Sequence, residues 1–154
     1  MKTLELTSTA FETGERIPAD HACTTKNDSP PLSWGPAPEG TASLAIICED
    51  PDAPSGTFIH WILYNIPPGT SSLPGGIPRK PVLPDGSAQG LNDFGKMEYG
   101  GPCPPPGKPH RYFFRIYALD TPLHLRAPVT RKSIGAAMEG HVIGRGELMG
   151  IFSR

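Results

Sequence analysis

Residues 42–66 read ASLAIICEDPDAPSGTFIHWILYNI, two apolar runs joined by a short turn. The first run, 42–49, is nearly continuous in apolar side chains, as a strand buried on both faces requires. The second, 58–66, is rich in β-branched and aromatic residues, which fit a pleated surface. Neither contains Pro, which would remove a ladder hydrogen bond, so both are central-strand candidates. In the DPDAP turn at 50–54, prolines restrict the backbone beside the two carboxylates Asp50 and Asp52. Pro54 is expected in cis, because cis bonds concentrate at X–Pro in tight turns.

Further strands are predicted on either side. In 111–119 (RYFFRIYAL), Tyr112, Phe114, Ile116 and Ala118 share one face. Residues 146–153 (GELMGIFS) predict a terminal strand and 3–8 (TLELTS) a shorter one. One helix is predicted from Thr130: Ile134, Ala137, Met138, His141 and Val142 form an amphipathic stripe, with Thr130 as N-cap and Gly144 as terminator. Of 154 residues 38 are Pro or Gly, and 20 of these fall within 67–109. Such residues cost about 1 (Gly) and 3 (Pro) kcal/mol in helix interiors, which argues against a helical bundle. With 37% hydrophobic and 19% charged residues the chain is not disordered in type. The expected class is all-β, β-rich with one or two short helices, forming one domain over 1–154. The segment 67–109 is read as an ordered loop, because Phe94, Met97 and Tyr99 would be surplus in a linker.

Charge and cysteine usage exclude several functions. Fourteen basic against 15 acidic residues leave no electrostatic footprint for nucleic acid. No apolar run is long enough for a transmembrane helix, and the N-terminus lacks the apolar core of a secretory signal. Cys23, Cys48 and Cys103 are odd in number and contain no CxxC pair, so neither a zinc site nor a disulfide is expected, and a cytoplasmic location follows.

If 42–49 and 58–66 pair antiparallel, Asp50 and His60 lie at one edge of the sheet. Should 111–119 enter there too, His110 and Tyr112 join them, one residue apart on the same face. Two imidazoles, a phenol and glycine N–H groups suit a phosphate or carboxylate anion. Asp50 could then take a proton from the ligand, accept from a ligand ammonium, or hold a histidine charged.

In chain order, SPPLSW (29–34), DPDAP (50–54), HW (60–61), NDFG (92–95), YGGPCPPPG (99–107), HRY (110–112) and YALD (117–120) run across nearly the whole sequence. With this set the chain resembles the phosphatidylethanolamine-binding protein family, in its bacterial and archaeal branch of Raf-kinase-inhibitor-like proteins. The resemblance implies a large antiparallel sheet plus a smaller one, of Greek-key type. It also implies an anion pocket of Asp50, His60, His110 and Tyr112. Asp52 and Pro54 belong to the supporting turn, while Gly101, Cys103, Pro104 and Gly107 form a wall. The Ala–Pro bond of DPDAP is cis by the same resemblance. Segment 21–28 departs from the turn common in bacterial members. The sequence as read ends soon after its last strand, without the C-terminal helix of animal members, which implies a more open pocket.

The preferred function is a non-enzymatic binding protein for a small phosphate-type, phosphorylethanolamine-type or carboxylate anion, without cofactor or metal. A protein target is implied as an alternative, a serine protease or kinase being inhibited, and relatives imply a homodimer. A third reading makes Asp50, His60 and His110 a zinc site or acid–base group of a hydrolase. Read singly, DPDAP is a rigid turn, Tyr112 is packing, Asp52 organises its own turn, and Cys103 is a packed thiol.

Overall fold

A computed structural model describes residues 1–154. In chain order the strands are β1 (Lys2–Thr3), β2 (Leu32–Ser33), β3 (Ser43–Asp50), β4 (Phe58–Ile66), β5 (Ser72–Leu73), β6 (Ala88–Gln89), β7 (His110–Leu119) and β8 (Val142–Phe152). Helix α1 spans Arg131–Met138, and a 3-10 turn spans Ala19–His21. The strands form a six-stranded sheet ordered β1-β8-β7-β3-β4-β6 and a two-stranded sheet of β2 and β5. The large sheet is mixed, because β1 runs parallel to β8.

The large sheet is apolar on both faces. Leu44, Ile46, Trp61, Leu63 and the expected Tyr112–Phe114–Ile116–Ala118 row of β7 pack into one core, together with Leu32 and Leu73 of the small sheet. On the other face Ala45, Ile47, Ile62 and Tyr64 lie beneath Leu123, Val129 and the helix residues Ile134 and Met138. β3 is buried on both sides, as its unbroken apolar run predicts.

Two boundaries differ from expectation. Residues 3–8 do not form one strand: Leu4 still bonds Arg145 of the large sheet, but Thr7 pairs with Ser33 of the small one. The extended segment is thus divided between two sheets. Helix α1 begins where expected, with Thr130 and Ser133 forming a reciprocal capping box. It stops at Met138 rather than Gly144, because Gly140 takes a left-handed φ of 81° and Val142 enters the ladder opposite Leu119. His141 leaves the stripe and binds Asp120 at the surface, 2.7 Å away.

The expected cis bond at Pro54 is absent; the cis peptide is Ala127–Pro128. The reversal after β3 is made otherwise. Asp50 Oδ1 accepts from Asp52 N–H, Gly56 N–H bonds Ala53 C=O, and Gly56 has φ 110°. The expectation of unpaired cysteines is also overturned. Cys23 and Cys103, 80 residues apart, are joined in a disulfide, leaving only Cys48 free. Its partner could not be read from spacing, because the pairing depends on two distant loops meeting. With it goes the premise for a reducing compartment.

Candidate functional site

The ends of β3, β4 and β7 meet at one edge of the large sheet, bringing Asp50, His60, His110 and Tyr112 together around a cavity of about 210 Å³. All four are buried. A bulge in the β3–β4 ladder decides how His60 arrives: Cys48 faces Trp61 and Glu49 faces Ile59, so His60 is the extra residue. Bulges re-aim side chains. Strict alternation would send His60 away from Trp61; instead it stands against Tyr112, ring centres 5.1 Å apart.

Each polar group has a defined role. Asp50 Oδ2 accepts from His110 Nδ1 at 2.7 Å, and its Oδ1 holds the turn. Of the three roles open to Asp50, its contacts are those of a histidine partner. His60 Nδ1 lies 2.6 Å from the Gly100 carbonyl and must donate to it, which makes Nε2 the acceptor nitrogen of the neutral ring. Burial pulls the His60 pKa below its ordinary value, favouring that neutral ring. Tyr112 is fully buried, and its hydroxyl is the one buried side-chain polar atom without a well-formed hydrogen bond, although it lies within reach of the Asp50 carboxylate. Burial, then the nearby Asp50 charge, pushes its pKa far up, so it stays a donor.

Asp52 does not cap its own turn. Its carboxylate takes both Arg111 Nε and Nη2 at 2.9 Å, and Arg111 N–H at 3.0 Å. The Arg111 guanidinium holds the Asp52 carboxyl down at about 2.

Pro54 of the expected supporting turn, and Cys103 and Pro104 of the expected wall, line the cavity. Gly101 and Gly107 do not. Gly101 instead lies against the His21 carbonyl, where a Cβ would collide, and donates to Asn27 Oδ1. Gly107 meets the Arg154 carbonyl. Pro105 of the same GPCPPPG loop lines the cavity as well, and Phe58 and Phe94 do so without having been anticipated. The signal for Phe94 was available: Asn at 92 can cap a turn and Gly at 95 can take positive φ, presenting the intervening Phe at its tip.

No group of three or more His, Cys, Asp or Glu side chains is placed to hold a metal ion, so the donor set does not fit the zinc reading. No helix is long and apolar enough to cross a membrane. A larger depression of about 610 Å³ runs along residues 3–13 and 147–148, remote from the histidines. It contains no unpartnered buried polar side chain.

The sequence profile described as phosphatidylethanolamine-binding protein matches residues 7–153. The UPF0098 protein of Methanothermobacter thermautotrophicus is 49% identical over 151 residues, covering 98% of this chain and 99% of the relative. That of Aquifex aeolicus is 42% identical, over 98% of this chain and 89% of the relative. The crystal structure of a phosphatidylethanolamine-binding protein homologue from Chlamydia trachomatis superposes with a TM-score of 0.90 at 40% identity, covering 100% and 99% of the two chains. E. coli YbcL, described as a member of the mammalian family, gives 0.91 at 35% identity, with 98% of each chain covered. With the profile spanning almost the whole sequence and relatives this similar end to end, the chain belongs to the phosphatidylethanolamine-binding protein family.

Proposed function

We propose that this chain is a binding protein rather than an enzyme, and that its cavity takes a small phosphate-type or carboxylate anion. The observation that carries the reading is the Tyr112 hydroxyl. A buried donor without a well-formed hydrogen bond costs up to about 1–3 kcal/mol, a cost that a well-placed bound acceptor would remove. The cavity, about 210 Å³, is smaller than the roughly 300–1,000 Å³ typical of drug-sized ligands, which suits a headgroup. Asp50 and His110 form a fixed pair beside it.

His60 adds a condition. Its acceptor nitrogen disfavours a bare anion but accepts from a monoprotonated phosphate, or becomes a donor by taking up a proton. Binding is therefore coupled to a proton. An anion raises the His60 pKa from its depressed value, so affinity increases as pH falls through the bound-state pKa toward the free-state one.

Calorimetry with phosphate and phosphorylethanolamine tests this. Tyr112→Phe removes only the orphaned oxygen, and should weaken binding about tenfold or more while leaving the fold at least as stable. Affinity should also rise as the solution is made more acidic through the bound-state pKa of His60. Unchanged affinity in Tyr112→Phe would remove the basis of the reading.

A further inference from the structure

Phe94 is one of three large apolar side chains left exposed, the others being Met1 and Val82, and it keeps 42% of its surface accessible. A single exposed Phe is ordinarily unremarkable. This one is held in place by an unusual number of contacts. Buried Asn92 accepts from Phe94 N–H at 2.9 Å and Lys96 N–H at 3.1 Å, and donates to Glu98 C=O at 2.7 Å. Asp93 ties the same turn to the start of β4 by exchanging two bonds with Ile59. The ring lies against Gly100, where any Cβ would collide with it. It also meets Phe58 and His60 edge-on, with centres 4.8 and 5.5 Å apart.

The side chain is thus exposed yet immobilised, and it lines the cavity of Tyr112. Pro54, Phe58, Pro104 and Pro105 line that cavity with it, so an apolar collar accompanies the polar groups. The acidic groups around it each have a partner: Asp93 holds Ile59 N–H, Asp52 pairs with Arg111, Asp50 with His110 and Glu98 with Arg79.

We propose that Phe94 is a specificity-determining residue, which selects anions that carry an apolar substituent next to the anionic group over inorganic phosphate and over esters with a charged substituent. The proposal rests on the anion reading above. A substituent covering the exposed ring removes apolar surface from water, and a contact of this kind discriminates by about tenfold or more.

The experiment compares phenyl phosphate, phosphorylethanolamine and inorganic phosphate by calorimetry on the wild type, Phe94→Ala and Phe94→Leu. Phenyl phosphate should bind the wild type about tenfold more tightly than either other ligand. That ratio should fall toward unity in Phe94→Ala and be largely restored in Phe94→Leu. A ratio unchanged in Phe94→Ala, or a wild-type preference for phosphorylethanolamine, overturns the role of Phe94 while leaving the anion pocket standing. No binding of any of the three overturns the pocket itself, and this inference with it.

Discussion

The central strands β3, β4 and β7 and the segment 67–109 face each other across the cavity and are held by opposite means. In the strands the backbone satisfies itself, with β3 paired from Ser43 to Glu49 against β7 and from Leu44 to Asp50 against β4. The segment has only the two-residue strands β5 and β6. Its eleven prolines have no N–H to satisfy, which lowers the number of bonds such a loop must find. Side chains do the rest. Gln89 accepts from Trp61 and donates to the Pro78 and Lys80 carbonyls. Arg79 reaches the Asn27 carbonyl and Glu98, Tyr99 reaches His21, and the disulfide joins Cys103 to Cys23. A ladder is redundant, since neighbouring bonds survive the loss of one. An irregular wall depends on a few anchors, each holding several carbonyls or amides.

That contrast can be broken or sharpened by experiment. The largest effect is expected from reducing the disulfide or replacing both partners with Ser. Closing a separation of 80 residues restricts the unfolded chain, and its loss should cost about 4 kcal/mol in denaturant unfolding. A change under about 1 kcal/mol would mean that the hydrogen bonds of the wall suffice. Asn92→Ala comes next. It leaves two N–H groups and one carbonyl without their buried partner, for an expected loss of about 2–3 kcal/mol. It should also loosen the turn carrying Phe94, read as faster amide exchange there with the strands still protected. Equal loss of protection in strands and turn would contradict the contrast.

The smallest effect belongs to Asp52→Asn at the exposed end of the strand region. The pair with Arg111 is at the surface, where water screens it, and should contribute little to stability. Because the folded pKa is depressed, the contribution is present above the ordinary carboxylate pKa and vanishes as pH falls through about 2. Wild type and variant should differ slightly at neutral pH and converge on acidification. A difference that persisted in acid would assign the effect to something other than this charge pair.

Much of the fold was legible because its signals are local. The Pro-free apolar runs around DPDAP and the alternation from Tyr112 to Ala118 reproduce strands that the structure contains. Thr130 announced its helix through the capping chemistry of one turn. The gathering of Asp50, His60, His110 and Tyr112 at one edge was legible from strand ends only on condition that the three strands pair there, and from motif order by resemblance. Less legible were the terminus of α1, where strand pairing overrode a helical stripe, and the turn after β3, where an Asp side chain served in place of a cis proline.

Which segments become strands and where the helix begins can be read locally, because periodicity, capping and turn chemistry act within a few residues. Long-range packing alone decided that Cys23 finds Cys103, that Asp50, His60, His110 and Tyr112 meet at one edge, that a bulge keeps His60 on the side of Trp61, and that the Tyr112 hydroxyl is buried without a well-formed hydrogen bond. It also decided that Phe94 becomes a fixed wall instead of a loop tip. Each of these depends on groups far apart in the chain meeting at one place, and no local preference encodes that meeting.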